Sequence, residues 1–101
     1  MPTAYVTVPK KEAAELASTL VEERLAACVN VVDCESVYRW EDAVHDASEA
    51  ILLAKTSDGA FDTLVERVVE LHPHEVPCVE RFDEEVMLSA FATWRDGAVE
   101  G

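Results

Sequence analysis

The run Ala50-Ile51-Leu52-Leu53-Ala54 puts apolar side chains on both faces of any strand it forms, and this restricts the fold more than any other stretch of the chain. A strand that is apolar on one face can border water, whereas one apolar on both must be covered twice. The flanking sequence supplies two helices to a chain of 101 residues, enough to cover one face of a sheet. A domain of this size hides only somewhat over ~60% of the surface its unfolded chain exposes. A second copy of the sheet is therefore the economical cover for the other face. The alternative is partial cover by the chain's own tail helix.

Around that strand the remaining elements can be laid out. Ala4 to Val8 reads as a first strand, closed by Pro9. From Lys11 the apolar residues Ala13, Leu16, Ala17, Leu20 and Val21 recur at helical spacing, which predicts an amphipathic helix to about Arg24. Cys28 to Val32 and Ser36 to Trp40 predict one long strand with an irregularity at Asp33-Cys34. The polar stretch Glu41 to Asp46 turns the chain, and Glu49 to Lys55 returns as a strand. Thr56, Ser57 and Asp58 offer capping oxygens to a second helix bearing Phe61, Leu64, Val65 and Val68, which ends near Leu71-His72-Pro73. Val76 to Phe82 predicts a fourth strand, and Met87 to Trp94 a short last helix. The order is that of a ferredoxin-like βαββαβ sandwich, an α+β fold, with a C-terminal helix. It is expected as a single domain over residues 1–101, ordered from about 4 to 95.

Charge narrows the partners. Twenty-one Asp and Glu face 8 Lys and Arg, for a net charge of −13. Few cations are available to displace phosphate counterions or to meet an anionic bilayer, so neither nucleic acid nor a membrane is expected as a partner. No apolar run approaches the ~20 residues a bilayer requires, and Met1-Pro2-Thr3 does not read as a signal peptide. A cytoplasmic protein is expected, with Cys28, Cys34 and Cys78 as reduced thiols. Neither a Gly-rich phosphate loop nor a nucleophile motif occurs, and no catalytic residue or obligatory cofactor is expected.

The densest polar cluster is His72-Pro73-His74-Glu75-Val76-Pro77-Cys78. Imidazole and thiolate suit copper and zinc, and Glu75 adds a hard oxygen, yet the spacing matches no closed zinc motif. Read from the residues alone, His72 is a helix-end imidazole that adds little to the core, and His74 and Glu75 are ordinary loop residues. Cys28 reads as a small buried hydrophobe at a strand start. Tyr38-Arg39-Trp40-Glu41 suits core anchoring or an interface better than ligand stacking.

Taken together, Leu25-Ala26-Ala27-Cys28-Val29-Asn30, Ser36-Val37-Tyr38-Arg39-Trp40-Glu41, Lys55-Thr56, His72-Pro73-His74-Glu75-Val76-Pro77, Phe91 and Trp94 resemble the CutA family of divalent-cation tolerance proteins in order and spacing. The resemblance implies a tight homotrimer and a role tied to divalent metals, copper especially. It also implies an architecture like that of the trimeric PII signalling proteins. It places Cys28 and His72 on metal-associated positions, with His74, Glu75 and Cys78 as further ligand candidates. Tyr38, Trp40, Lys55 and Glu75 fall on signature positions near subunit contacts, and Arg39 and Trp94 complete the expected interface and cleft. The alternative implied is a PII-like sensor or interaction module binding a small anion near Lys55 and Arg39. This chain departs from the family pattern at Asp42 for a turn glycine, His74 for tyrosine, Cys78 for glutamate, Phe91 for tyrosine, and Val6 for the metal-associated cysteine of some members.

The acid excess also predicts adaptation to high salt, as in a halophile. A charge of −13 exceeds the magnitude of about 2–8 that keeps a small domain soluble, and three subunits would concentrate it further. Such self-repulsion opposes compaction, whereas at 1 M salt the screening length falls to ~3 Å. The melting temperature is expected to rise, and the trimer to be retained, from tens of millimolar to several molar potassium chloride. A melting temperature flat over that range would reject the adaptation.

Overall fold

The computed structural model describes residues 2–99. Seven elements follow in the order β1 (Pro2–Pro9), α1 (Lys10–Glu22), β2 (Cys28–Trp40), β3 (Ala43–Lys55), α2 (Phe61–Leu71), β4 (Val79–Asp83) and α3 (Ser89–Val99). The strands form one sheet in the order β2-β3-β1-β4, every neighbouring pair antiparallel. This is the ferredoxin-like α+β arrangement expected, with α3 as the additional C-terminal helix.

Strand periodicity sets the core. In β1, Ala4, Val6 and Val8 share one face, and in β3 Ala50, Leu52 and Ala54 lie opposite them; all six are fully buried. Onto this face α1 turns Ala13, Leu16, Ala17 and Leu20, and α2 turns Phe61, Leu64 and Val68. Truncating a leucine at such a position typically costs about 2–5 kcal/mol. The other face carries Tyr5, Ile51 and Leu53, all half-buried, with Val32 and Phe82 exposed. The two-faced strand is therefore covered fully by helices on one side only. Within α3 the buried residues are Arg95 and Val99.

Helix α1 stops without a glycine. Arg24 takes φ 61°, the Leu25 N–H reaches back to the Leu20 carbonyl (2.9 Å), and the Arg24 N–H reaches the Val21 carbonyl (3.0 Å). These bonds make a Schellman end that satisfies otherwise orphaned carbonyls. At the start of α2 no side chain caps the helix, and Ser57 Oγ instead accepts the Ala60 N–H at 3.2 Å.

Several boundaries differ from the sequence expectation. The β2–β3 register runs unbroken from Cys28↔Lys55 to Trp40↔Ala43, so Asp33-Cys34 is regular strand. The turn is only Glu41-Asp42, and β3 begins at Ala43 rather than Glu49, because thirteen cross-strand pairs hold the polar segment in the ladder. β4 starts at Val79, not Val76, since the preceding loop is held by other contacts. Helix α3 spans Ser89–Val99 rather than Met87 to Trp94, running through Gly97. The hairpin gives the chain its length, 45 Å against 25 and 20 Å across.

Glu41 and Asp42 both have positive φ, 51° and 65°, the pattern of a two-residue I′ turn that matches strand twist. L-residues tolerate this region poorly, at about 1–2 kcal/mol each, and asparagine and glycine tolerate it best. The double substitution Glu41→Asn, Asp42→Gly is expected to stabilise the protein by about 1 kcal/mol in urea unfolding. Unchanged or lower stability would show that the turn is not strained.

Candidate functional site

Beyond the helical layer, the open face of the hairpin and the α2–β4 loop enclose a cleft of about 710 Å³. The register explains which side chains reach it. Cα partners in an antiparallel pair share a face, so Cys34↔Glu49, Tyr38↔His45 and Trp40↔Ala43 align along the open side of the hairpin. Ser36, Tyr38, Trp40, His45 and Glu49 line the cleft from the hairpin, Thr7 from β1, and His74, Glu75 and Cys78 from the loop. The Tyr38 and His45 rings stack at 5.7 Å.

The loop is held by His72. Its ring is 7% exposed, with Nε2 at 2.7 Å from the Thr7 carbonyl and Nδ1 accepting the His74 N–H at 3.0 Å. A carbonyl only accepts, so Nε2 carries the proton and both ring nitrogens are used by backbone. The Thr7 N–H in turn donates to the Cys78 carbonyl at 3.3 Å. This corrects the expectation that the His72 imidazole adds little to the core: it ties the end of α2 to the central strand. As a metal ligand it would have to give up one of these bonds.

Cys28 lies elsewhere in the chain. It pairs with Lys55, which pairs with Thr3, whereas His72 is anchored at Thr7. That separation is on the order of 13 Å along the strands and about 10 Å across them. One chain therefore does not bring Cys28 and His72 to a common ion. His74, Glu75 and Cys78 do share the cleft, but among the described residues no three His, Cys, Asp or Glu side chains are grouped to hold a metal. Of the expected interface and cleft residues, Tyr38 and Trp40 line the cleft. Arg39 points to the opposite face beside Val44, Lys55 sits at the far end of β3, and Trp94 packs on Phe91 at 5.6 Å in α3.

Two residues of the open face were not singled out by the sequence. Burial pushes the Tyr5 phenol above its ordinary value of 10.0, and the acidic groups of Cys78, Cys34, Glu80 and Glu49 reinforce the shift. Glu49 is 6% exposed and faces the cleft, yet accepts no hydrogen bond and pairs with no cation among the described residues. The available signal was positional, since Glu49 has the same strand parity as Ile51 and Leu53 and so lies on the face that the helices leave open.

A ferredoxin-like α+β protein with a cleft between a long hairpin and a helix–strand loop is the class these features define. The chain belongs to the CutA1 divalent ion tolerance protein family, whose profile matches residues 3–98. It is 53% identical over 74 residues to the divalent-cation tolerance protein CutA of Thermus thermophilus, a match covering 71% of this chain and 72% of that protein. The structure of the periplasmic divalent cation tolerance protein CutA from Archaeoglobus fulgidus superposes with a TM-score of 0.94 at 33% identity, covering 99% of this chain and 100% of that one. The PII-like protein CutA from Nostoc sp. PCC 7120, in apo form, gives a TM-score of 0.96 at 29% identity, covering 99% and 98%. No helix among the described residues is long and apolar enough to cross a membrane.

His72→Ala would leave the Thr7 carbonyl and the His74 N–H without their partner in a part-buried setting. It is expected to cost about 2–3 kcal/mol in urea unfolding, with His72→Gln recovering part of the loss. A loss below about 0.5 kcal/mol would show that the imidazole does not hold the loop.

Proposed function

We propose that the chain acts in divalent-cation tolerance as a cytoplasmic homotrimer that takes a soft divalent cation, copper foremost, at the mouth of the cleft. The observation that carries this reading is the pairing of donors there. The His74 ring and the exposed Cys78 thiol both line the cleft, and neither is engaged by a side-chain hydrogen bond among the described residues. Imidazole with thiolate is a donor pair that favours copper or zinc, and Glu75 adds a carboxylate. With His72 committed to backbone, His74 is the imidazole available at this loop. A single chain does not assemble a complete coordination shell, so the reading needs a second copy to complete it, and Cys28 enters only as a donor brought by such a copy.

The surface supports assembly. Val37 is 72% and Val44 64% exposed on one side of the hairpin, while Tyr38 and Trp40 are 40% and 43% exposed on the other. Apolar surface of this kind on a projecting arm suits contact with a neighbouring subunit. The PII-like reading with a small anion is less well served, because neither Arg39 nor Lys55 lines the cleft and its carboxylates are Glu49 and Glu75.

Titration of the chelator-treated protein with copper, followed by calorimetry and light scattering, tests the reading. Wild type is expected to show the mass of three subunits, and His74→Ala and Cys78→Ser are each expected to weaken copper binding at least tenfold. Equal affinity in the double variant would remove the loop from the site, and a one-subunit mass at every salt concentration would reject the trimer.

A further inference from the structure

Where copies meet through the open sheet face, as proposed above, the helical layer is the surface left to other partners. Helices α1 and α2 cross it in opposite directions. Arg67 of α2 meets Glu23, just past the end of α1, with Nη2 2.8 Å from Oε2. Leu71, the last residue of α2, stands beside Leu16 and Thr19. From there α1 continues back to Lys10, beyond the end of α2. The seam between them therefore opens into a hollow of about 160 Å³, floored by Val8, Leu16 and Leu71 and edged by Glu12, Glu15 and Thr19. Val8 belongs to the helix-covered side of β1 and Thr7 to the other, so this hollow and the hairpin cleft lie on opposite sides of the sheet.

Three features of the hollow agree on what it accepts. Its floor is apolar, and Leu71 is 41% exposed there. Glu12 and Glu15 have no side-chain ion pair or hydrogen bond among the described residues, because Lys10 turns to Asp33 (3.7 Å) and Arg67 is taken by Glu23 and Glu70. The last turn of α2 carries no basic side chain, so the negative end of that helix is not compensated from within it. A cation on an aliphatic stem answers all three, with its methylenes on the floor and its charge between the carboxylates and the helix end. Lysine and arginine have that build. The hollow is smaller than the ~300 Å³ at which small-molecule sites begin, and its size suits one anchoring side chain carried on a larger partner. We infer that the open end of the α1–α2 seam is a docking site for a basic segment of a partner protein, whose lysine or arginine enters the hollow. The same acidic surface repels nucleic acid and anionic lipid.

The probe is acetyl-Ala-Leu-Lys-Leu-Ala-amide, compared with the same peptide carrying norleucine for lysine, at 0.5 M potassium chloride to screen the general acidic field. Amide chemical shifts of the isotope-labelled protein report where each peptide binds. The lysine peptide is expected to move the signals of Glu12, Leu16, Thr19 and Leu71, and to bind at least fivefold more tightly than the norleucine peptide. The double variant Glu12→Gln, Glu15→Gln should abolish that preference. The double variant Glu22→Gln, Glu66→Gln removes the same charge from exposed positions of the same helices and should keep it, which separates the hollow from general attraction to an acidic surface. Leu71→Ala should weaken both peptides. The His74→Ala, Cys78→Ser double variant should bind as wild type does, so failure of the metal reading and failure of this one are distinguishable. Equal affinity for the two peptides in wild type overturns the inference, as does a lysine preference that survives in the Glu12→Gln, Glu15→Gln protein. So does n-butylammonium binding as tightly as the lysine peptide, which would make the hollow a site for a free small cation and not for a protein segment.

Discussion

The pairing of β1 with β3 sets Ala4, Val6 and Val8 against Ala54, Leu52 and Ala50, and nothing of these six residues reaches solvent. Small side chains alternate with branched ones along that ladder, which lets α1 and α2 lie close to the sheet on one side. Because side chains alternate strictly, fixing this face also fixes the other. Thr7, Glu49 and Ile51 have no choice but to point away from the helices. The position of the cleft is thus a consequence of core packing: a one-residue slip would exchange the floor of the cleft with the hydrophobic core.

His72 extends that control to the loop. Its imidazole spans from the end of α2 to a backbone carbonyl of β1, sixty-five residues away in sequence. The bond from the Thr7 N–H to the Cys78 carbonyl closes the same loop at its other end. Between these two anchors lie Pro73 and Pro77, whose rings restrict the backbone further. His74, Glu75 and Cys78 are consequently presented from a segment fixed at both ends, while their side chains remain toward the cleft. A rigid frame with free donors is what a binding loop needs.

Local periodicity made the elements legible. The i, i+3, i+4 spacing of Ala13, Leu16, Ala17 and Leu20, and the alternation through β1 and β3, are written directly in the residues, and with them the ferredoxin-like order. The hairpin turn was harder to place because Glu41-Asp42 adopts positive φ without the asparagine or glycine that usually marks it. The polar residues of early β3 read as loop because their strand is held by pairing with β2, not by burial. At the site, the cluster from His72 to Cys78 was visible as composition, but its division of labour was not. Whether an imidazole at a helix end meets water, an ion or a distant carbonyl depends on contacts that no local window contains. Glu49 was hidden for a related reason, since the cleft it faces is completed by a loop that follows it by more than twenty residues.

The acidity of the chain and the chemistry of the cleft act at different ranges. Surface carboxylates in water are screened within about 10 Å at moderate salt and attract cations of every kind without discriminating among them. Inside a cleft the effective dielectric is lower than in water, so the same charge acts more strongly there and discrimination depends on what the walls offer. Aromatic faces reward a diffuse, weakly hydrated charge, and soft donors at the loop reward a polarisable metal ion. On the proposed reading, the overall field gathers cations near the protein, and the side chains that β2, β3 and the His72-anchored loop hold in place would decide which of them stay.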